Sequence, residues 1–203
     1  MSWSNSKLQA KESRDWLKHQ IIVLVGVSGS GKTTLSNLLE KEGIQRLVTH
    51  TTRTKRPHEE DGVDYYFVKR NQFPQSHRLI EKTTYANNWY GLSKDEIDQK
   101  LSESSVCFVA DVKGAQQIQT FYPEQTSVFW LNINNSLMVK RLTERGDTDS
   151  LIQSRLHQAF NEAEFSPPDL PHFKLDATAC PEALLGFVLG QMMQTKPKKE
   201  LLI

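Results

Sequence analysis

Apolar runs alternate along this chain with amphipathic stretches that favour helices. The first apolar run, Ile21–Val25, is followed by such a stretch at Lys32–Lys41, and this order repeats towards the C-terminus. Alternation of this kind is typical of a parallel sheet covered by helices, so we predict an α/β fold. The predicted strands are Ile21–Val25, 46–48, 106–110, 127–132 and 173–175, and the predicted helices are Lys32–Lys41, Lys94–Glu103, 114–120, 136–144, 152–164 and 181–194.

Two stretches interrupt the alternation. Residues 49–91 contain short β-prone pieces separated by polar turns, which predicts a small mixed lobe inserted into a main domain of residues 21–194. The core of that domain would comprise residues 21–48 and 92–194. Residues 145–150 fall between two predicted helices and are expected to belong to a mobile lid at about 140–158. We interpret residues 1–20 as an extension and residues 195–203 as a solvated tail.

Composition narrows the class of protein. The 203 residues are 37% hydrophobic and 24% charged, which is typical of a globular enzyme, and the net charge of +1 does not favour a general nucleic-acid binder. Cys107 lies in an apolar run and Cys180 begins no metal or redox spacing, so both are expected to be reduced. No apolar segment approaches the length of a membrane span, and the N-terminus lacks a signal-peptide core. We expect a cytoplasmic protein that does not bind membranes.

The strongest motif follows the first predicted strand. The sequence G-V-S-G-S-G-K-T is a complete phosphate loop, placed between a strand and a helix. Its glycines allow backbone N–H groups to surround an anion at the positive end of the helix. We expect Lys32 to reach the β- and γ-phosphates, and the Thr33 hydroxyl to hold Mg²⁺. The sequence therefore predicts a parallel sheet of the P-loop NTPase type that binds ATP through Gly26, Val27, Ser28, Gly29, Ser30, Gly31, Lys32, Thr33 and Thr34.

A second cluster lies in the inserted segment. Arg53 and Arg56 are three residues apart among several hydroxyl side chains, and their forked donors suit phosphate oxygens. Tyr65, Glu81 and Tyr90 follow. An arginine pair followed by an acid and two tyrosines is a set of groups that could hold a whole nucleotide, although tyrosines in small sheets also pack against their neighbours.

These motifs together resemble the guanylate kinase family, from Ile21 to about Leu189. The family's G-P-S-G-S-G-K-[ST]-T-L is matched by G-V-S-G-S-G-K-T-T-L. Its segment from T-T-R to D-Y-x-F-V is matched by T-T-R-T-K-R-P-H-E-E-D-G-V-D-Y-Y-F-V. L-I-E, N-W-Y-G, D-V-K-G-A and the R-L-x-x-R-G before a helical R-L also have counterparts in the family pattern.

The resemblance implies transfer of the ATP γ-phosphoryl group to GMP or dGMP, giving ADP and GDP. It implies that the acceptor phosphate is held by Arg53, Arg56, Tyr65 and Tyr90, and that the guanine is read by Thr49 and Glu81, with Ser93 nearby. Lys32, Arg145 and Arg155 would close over the transferred group. Asp111 would help to place Mg²⁺, with a loop cap as its alternative role. The partners implied are small-molecule nucleotides, and the protein would be a monomer or a homodimer.

Three positions depart from the family pattern. Leu92 follows Tyr90-Gly91 where the family has Thr or Ser, Val109 replaces the first acid of D-x-D, and Lys55 replaces a proline. The first two bear on the choice of guanine, so another nucleoside monophosphate or ribose 1,5-bisphosphate stays an alternative acceptor. A non-catalytic binding scaffold is a further alternative, although such modules have an eroded phosphate loop. A regulatory GTPase would need an N-K-x-D motif, which the sequence lacks.

Overall fold

The structure is a computed structural model that describes residues 20–57, 59–74, 78–85 and 88–194, with Tyr85 described in its backbone alone. All of the predicted N-terminal extension except Gln20, and the whole predicted tail, lie outside the described residues. The described strands are β1 Ile21–Val25, β2 Gln45–Arg46, β3 His50–Thr51, β4 Tyr66–Phe67, β5 Leu79–Tyr85, β6 Asn88–Ser93, β7 Val106–Val109, β8 Thr126–Asn132 and β9 Phe173–Asp176. The described helices are α1 Lys32–Lys41, α2 Lys94–Glu103, α3 Val112–Phe121, α4 Asn135–Glu144, α5 Asp149–Asn161 and α6 Pro181–Met193, with a 3₁₀ turn at Arg70–Gln72.

Five strands form the central sheet, in the order β2-β7-β1-β8-β9, and every pair in it is parallel. The middle strand β1 pairs Ile21 with Val106 of β7 and with Thr126 of β8. Each residue of β1 is fully buried, as expected for a continuous apolar strand in a sheet that is covered on both faces. The α/β fold class predicted from the sequence is confirmed.

Helices cover both faces of this sheet. Because alternate residues of a strand point to opposite faces, Ile22 and Leu24 belong to one apolar cluster, which includes Leu35 of α1. Val23 belongs to the other cluster, which includes Ile97 of α2. Because the strands are parallel, their carboxyl ends lie at the same edge of the sheet. The loops after the paired strands β1 and β7 are therefore side by side.

A second, smaller sheet is built from residues 50–93, between β2 and β7 in the chain. Its strand order is β4-β3-β6-β5, with β3 parallel to β4 and antiparallel to β6, and with β5 antiparallel to β6. The pairing of β5 with β6 shifts register between Leu79 and Glu81. We call this unit the lobe sheet. Its mixed pairing agrees with the short β-prone pieces seen in the sequence.

Several element boundaries differ from the predicted ones. The strand expected at 46–48 lies at Gln45–Arg46, and β3 was not predicted. The helix expected to begin at residue 152 begins at Asp149, because the Thr148 hydroxyl accepts a hydrogen bond from the Leu151 N–H. In the described ranges no helix combines the length and apolar character needed to cross a membrane.

Candidate active site

The loop between β1 and α1 has the backbone shape of an anion cradle. Gly31, which immediately precedes α1, has φ +102° and caps the helix without a side-chain hydrogen bond, so the first N–H groups of α1 face the loop. At Gly26 an added Cβ would lie 2.6 Å from the carbonyl oxygen of Leu131, which restricts this position to glycine. Gly29 has φ +76°, so a positive φ explains all three glycines of the loop, and tight packing adds to it at Gly26.

Lys32 directs its ammonium group into this loop. Its Nζ donates to the carbonyl oxygens of Gly26 at 2.5 Å and Val27 at 2.9 Å. Burial lowers the pKa of Lys32 to about 8, while the charge of Glu164 opposes that shift and the charge of Arg155 adds to it. A bound polyphosphate would favour the charged ammonium form, since an adjacent anion raises the pKa of a lysine. Thr33 and Thr34 follow in the first turn of α1 and are exposed.

Two predicted arginines meet beside the loop through an acid that the sequence interpretation missed. Arg155 of α5 donates through Nη1 to Ser28 Oγ at 2.8 Å, and its Nε lies 3.4 Å from Asp147 Oδ2. Arg145 binds the same carboxylate in a bidentate manner, through Nε to Oδ1 and through Nη2 to Oδ2. These hydrogen bonds lower the pKa of Asp147. Asp147 thus holds Arg145 and Arg155 together at the mouth of the phosphate loop. Its position between two arginines in the chain was the available signal.

Arg141 has a different role. Its Nη1 donates to the carbonyl oxygens of Gly29 and Ser30 at 3.2 and 3.3 Å, and its Nη2 donates to that of Ala177 at 2.7 Å. Arg141 therefore binds two carbonyl groups of the phosphate loop and connects the loop to the residue that follows β9.

On the lobe sheet, Arg53 lies among aromatic side chains. Its guanidinium lies 5.4 Å from the Tyr65 ring centroid, and the Tyr65 and Tyr90 rings are 5.9 Å apart. Arg53 also forms a fork with Glu59, with Nη2 to Oε1 at 2.6 Å and Nη1 to Oε2 at 3.0 Å. This hydrogen bonding lowers the pKa of Glu59 to about 2. The structure therefore brings Arg53, Tyr65 and Tyr90 together, and it adds Glu59, to which the sequence pattern assigned no role.

The side chain of Arg56 lies farther from Glu59 than that of Arg53 does. Its side chain is 62% exposed, and its Nη1 lies 3.8 Å from Glu59 Oε1. The backbone N–H of Arg56 donates to the same carboxylate at 2.8 Å. Glu59 therefore connects both arginines of the T-T-R-x-x-R motif.

Glu81 and Asp111 approach each other where the lobe sheet meets the central sheet. A Cβ added at Gly114 would lie 3.2 Å from Glu81 Cγ and 3.4 Å from Asp111 Oδ1. Burial, and then the charge of Asp111, raise the pKa of Glu81 to about 7. Asp111 also caps α3 by accepting from the Gly114 N–H at 2.7 Å, so the loop-cap alternative is part of what this side chain does.

Ser93 is not placed with these groups. Its hydroxyl accepts from the Glu96 N–H at 3.3 Å and caps α2. Leu92, which pairs with Glu81 across the strands, is fully buried in the core. Neighbouring residues of a strand point to opposite faces, so Ser93 lies on the face opposite Glu81. The described contacts of the Ser93 hydroxyl are therefore to α2 and not to Glu81, and its place in the substrate site stays a prediction.

Thr49 lies directly before β3, at the point where the chain enters the lobe sheet. It is half-buried, and its carbonyl oxygen accepts from the Tyr66 N–H at 2.9 Å. This places Thr49 beside the strand that follows Tyr65.

Comparison with known proteins bears on the family of this chain. The sequence model of the family described as Guanylate kinase matches residues 18–168. A guanylate kinase of Hydrogenovibrio crunogenus is 39% identical over 149 residues, covering 70% of this chain and 73% of the relative, and one of Hahella chejuensis is 36% identical over 155 residues, covering 73% and 74%.

A crystal structure of guanylate kinase from Anaplasma phagocytophilum superposes with a TM-score of 0.61 at 18% identity, over 90% of each chain. This likeness shows the same P-loop fold. The family match and the sequence identities together show that the chain belongs to the guanylate kinase family.

Proposed function

We propose that this protein transfers the γ-phosphoryl group of ATP to GMP, and to dGMP, giving ADP and GDP. The observation that carries the proposal is the pairing of two anion sites, one in the loop around Lys32 and one around Arg53. Homology to guanylate kinases supports the same reaction.

In the donor site, the N–H groups at the start of α1 and the ammonium of Lys32 would bind the ATP phosphates. The hydroxyl of Thr33, in the first turn of α1, and the carboxylate of Asp111, between β7 and α3, are hard oxygen donors of the kind that Mg²⁺ takes. When bound, Mg²⁺ neutralises phosphate charge.

In the acceptor site, Arg53, Tyr65 and Tyr90 would hold the GMP phosphate, joined by Arg56 after it turns inward. The phosphate would compete with Glu59 for the Arg53 fork, because both are anions that suit the same donors. Ionised Glu81 would accept hydrogen bonds from guanine N1–H and the exocyclic amine. Thr49 would complete the contacts to the base.

Catalysis then depends on position and charge. Phosphoryl transfer needs the two substrates in line and needs donors for the charge on the transferred group. Arg145, Arg155 and Lys32 lie around the phosphate loop and would supply those donors. We also propose that residues 140–158 act as a lid and that the lobe sheet forms the nucleotide-binding insert.

An assay of ADP release tests the proposal, using GMP, dGMP, AMP, CMP, UMP and ribose 1,5-bisphosphate in turn. We expect turnover with GMP and dGMP, and a loss of about 100-fold or more in kcat for Lys32→Ala. Turnover with another acceptor and none with GMP would contradict the assignment of the base. Undetectable ATP binding, with Lys32→Ala indistinguishable from the parent protein, would favour a binding scaffold.

We also propose a cytoplasmic location and a monomeric or homodimeric enzyme with nucleotides, and not nucleic acid, as its partners. Both cysteines are unpaired, as is usual in a reducing compartment.

A further inference from the structure

A buried carboxylate lies on the face of the lobe sheet opposite to Tyr65 and Tyr90. Glu96 of α2 is only 7% exposed. One carboxylate oxygen accepts from the Val48 N–H at 3.0 Å and lies 2.7 Å from Lys100 Nζ, and the other accepts from the Tyr66 hydroxyl at 2.9 Å. A buried anion with three donors is held in one geometry, because each lost contact would leave part of its charge uncompensated.

These three donors come from different parts of the molecule. Val48 lies in the segment that leaves β2 for β3, and Tyr66 belongs to β4 of the lobe sheet. Lys100 lies one turn further along α2, and its Nζ also donates to the Arg46 carbonyl oxygen at 2.8 Å. Glu96 therefore connects α2, the end of a core strand and the lobe sheet through a single side chain.

The groups next to these contacts are the ones assigned to the acceptor. Thr49 follows Val48 directly, and Tyr65 precedes Tyr66. On one face of the lobe sheet, Tyr65 contacts Phe67 and Tyr90. On the opposite face, Tyr66 lies 4.8 Å from the His50 ring. A displacement of Val48 or Tyr66 would therefore move Thr49 and Tyr65, although neither Val48 nor Tyr66 is assigned a contact with the acceptor.

We propose that Glu96 is a positioning residue for the acceptor nucleotide, acting through Val48 and Tyr66. The inference rests on the proposed function and adds a residue that does not itself touch either substrate. Burial and the hydrogen bond to Glu96 raise the pKa of the Tyr66 phenol to about 12, so this hydroxyl stays a donor throughout the working pH range.

Steady-state kinetics of Tyr66→Phe and Glu96→Gln test this role. We expect the KM for GMP to rise about threefold to tenfold in Tyr66→Phe, which removes one hydrogen bond to the Glu96 carboxylate. The rise should be larger in Glu96→Gln, because loss of the negative charge weakens the contacts with all three donors. The KM for ATP should stay within twofold of the parent value. A purely structural contribution would instead lower the active fraction, and hence kcat, with both KM values unchanged.

Tyr122→Phe is the matched control. The Tyr122 hydroxyl donates to the Asp98 carboxylate at 2.7 Å, so this variant also removes a phenol donor to an acid of α2, outside the lobe sheet. We expect its KM for GMP to equal that of the parent enzyme. If Glu96→Gln does not fold, the comparison of the two phenylalanine variants decides alone.

The outcomes separate the two proposals. If the parent enzyme phosphorylates GMP and Tyr66→Phe has the same KM for GMP as Tyr122→Phe, the positioning role is overturned and the proposed function stands. An equal rise in the KM values for GMP and ATP would also overturn it. A parent enzyme that neither binds nor phosphorylates GMP would overturn both.

Discussion

The carboxyl group of Glu81 combines deep burial with a proposed task that needs its charge. Only the ionised form can accept hydrogen bonds from both guanine donors. Burial raises the pKa of this group to about 7 from an ordinary value of 4.5, with the charge of Asp111 as the second cause. The base-reading form is therefore only about half populated near neutral pH.

GMP affinity should follow this ionisation. Below pH 7 we expect the Kd for GMP to rise by about tenfold per pH unit, and Glu81→Gln should remove that dependence while weakening binding at pH 8 by about tenfold. Titration calorimetry from pH 5 to pH 8 measures both effects. The GMP phosphate also titrates, with a pKa of about 6, and the variant retains that titration and so serves as its control. An identical pH dependence in both proteins would contradict the prediction.

The same pKa has a consequence for folding. Because the pKa of Glu81 is higher in the folded than in the unfolded chain, the folded state binds the additional proton between about pH 4.5 and 7. The contribution of Glu81 to stability therefore decreases as pH rises through this window. Glu81→Gln should lack that decrease and gain stability relative to the parent protein at pH 8, whereas substitution of exposed Glu40 by Gln should change little. Urea unfolding at pH 5 and pH 8 compares the three proteins.

Asp147 aligns two arginines without any assigned contact to substrate. Its carboxylate holds Arg145 and lies 3.4 Å from Arg155 Nε, while Arg155 also reaches Ser28. We expect Asp147→Asn to lower kcat by about tenfold, since a neutral amide holds the two guanidinium groups less firmly where charge develops. The KM for GMP should change less than twofold. Steady-state assays check this, and an unchanged kcat would show that the arginines are positioned by other contacts.

At the scale of elements, the sequence predicts best where local signals and tertiary packing agree. The bounds of α1 and α2 match the predicted ranges, because a glycine or a serine cap precedes an amphipathic stretch in each. Strand β3 has no such signal, since the two polar residues His50 and Thr51 form a strand only by pairing with β4 and β6. In the site, motif spacing indicated the residues around Lys32 and Arg53, but it could not show that Glu59 and Asp147 join the arginines.

The cap formed by Ser93 leads to a prediction about α2. Its hydroxyl caps this helix, so Ser93→Ala should reduce the free energy of unfolding by about 1 kcal/mol. Because the side chain lies on the face opposite Glu81, the ratio of kcat/KM for GMP to that for AMP should be unchanged. Chemical denaturation and the acceptor assay measure the two effects. A lost preference for GMP at unchanged stability would place Ser93 in the base site after all.

At the scale of the whole molecule, the two proposed sites are carried by different sheets. The phosphate loop follows β1 of the central sheet, and the Arg53 cluster lies on the lobe sheet. The chain passes between them next to Val48 and again near Ser93, the two regions that Glu96 contacts. Rotation of the lobe about these two connections would change the distance between the sites and leave each sheet intact.

Closure of this kind is expected because open sites would let water compete for the γ-phosphoryl group. A compact chain of this length has a radius of gyration of roughly 17 Å, and we expect it to fall by on the order of 1 Å when both sites are filled. Small-angle scattering with a non-hydrolysable ATP analogue and GMP together measures the change, and each nucleotide alone is the control. Since GMP is proposed to bind the lobe sheet and ATP the phosphate loop, either one alone should give only part of the effect. An unchanged radius with both sites saturated would contradict closure and would mean that the lobe is already in its working position.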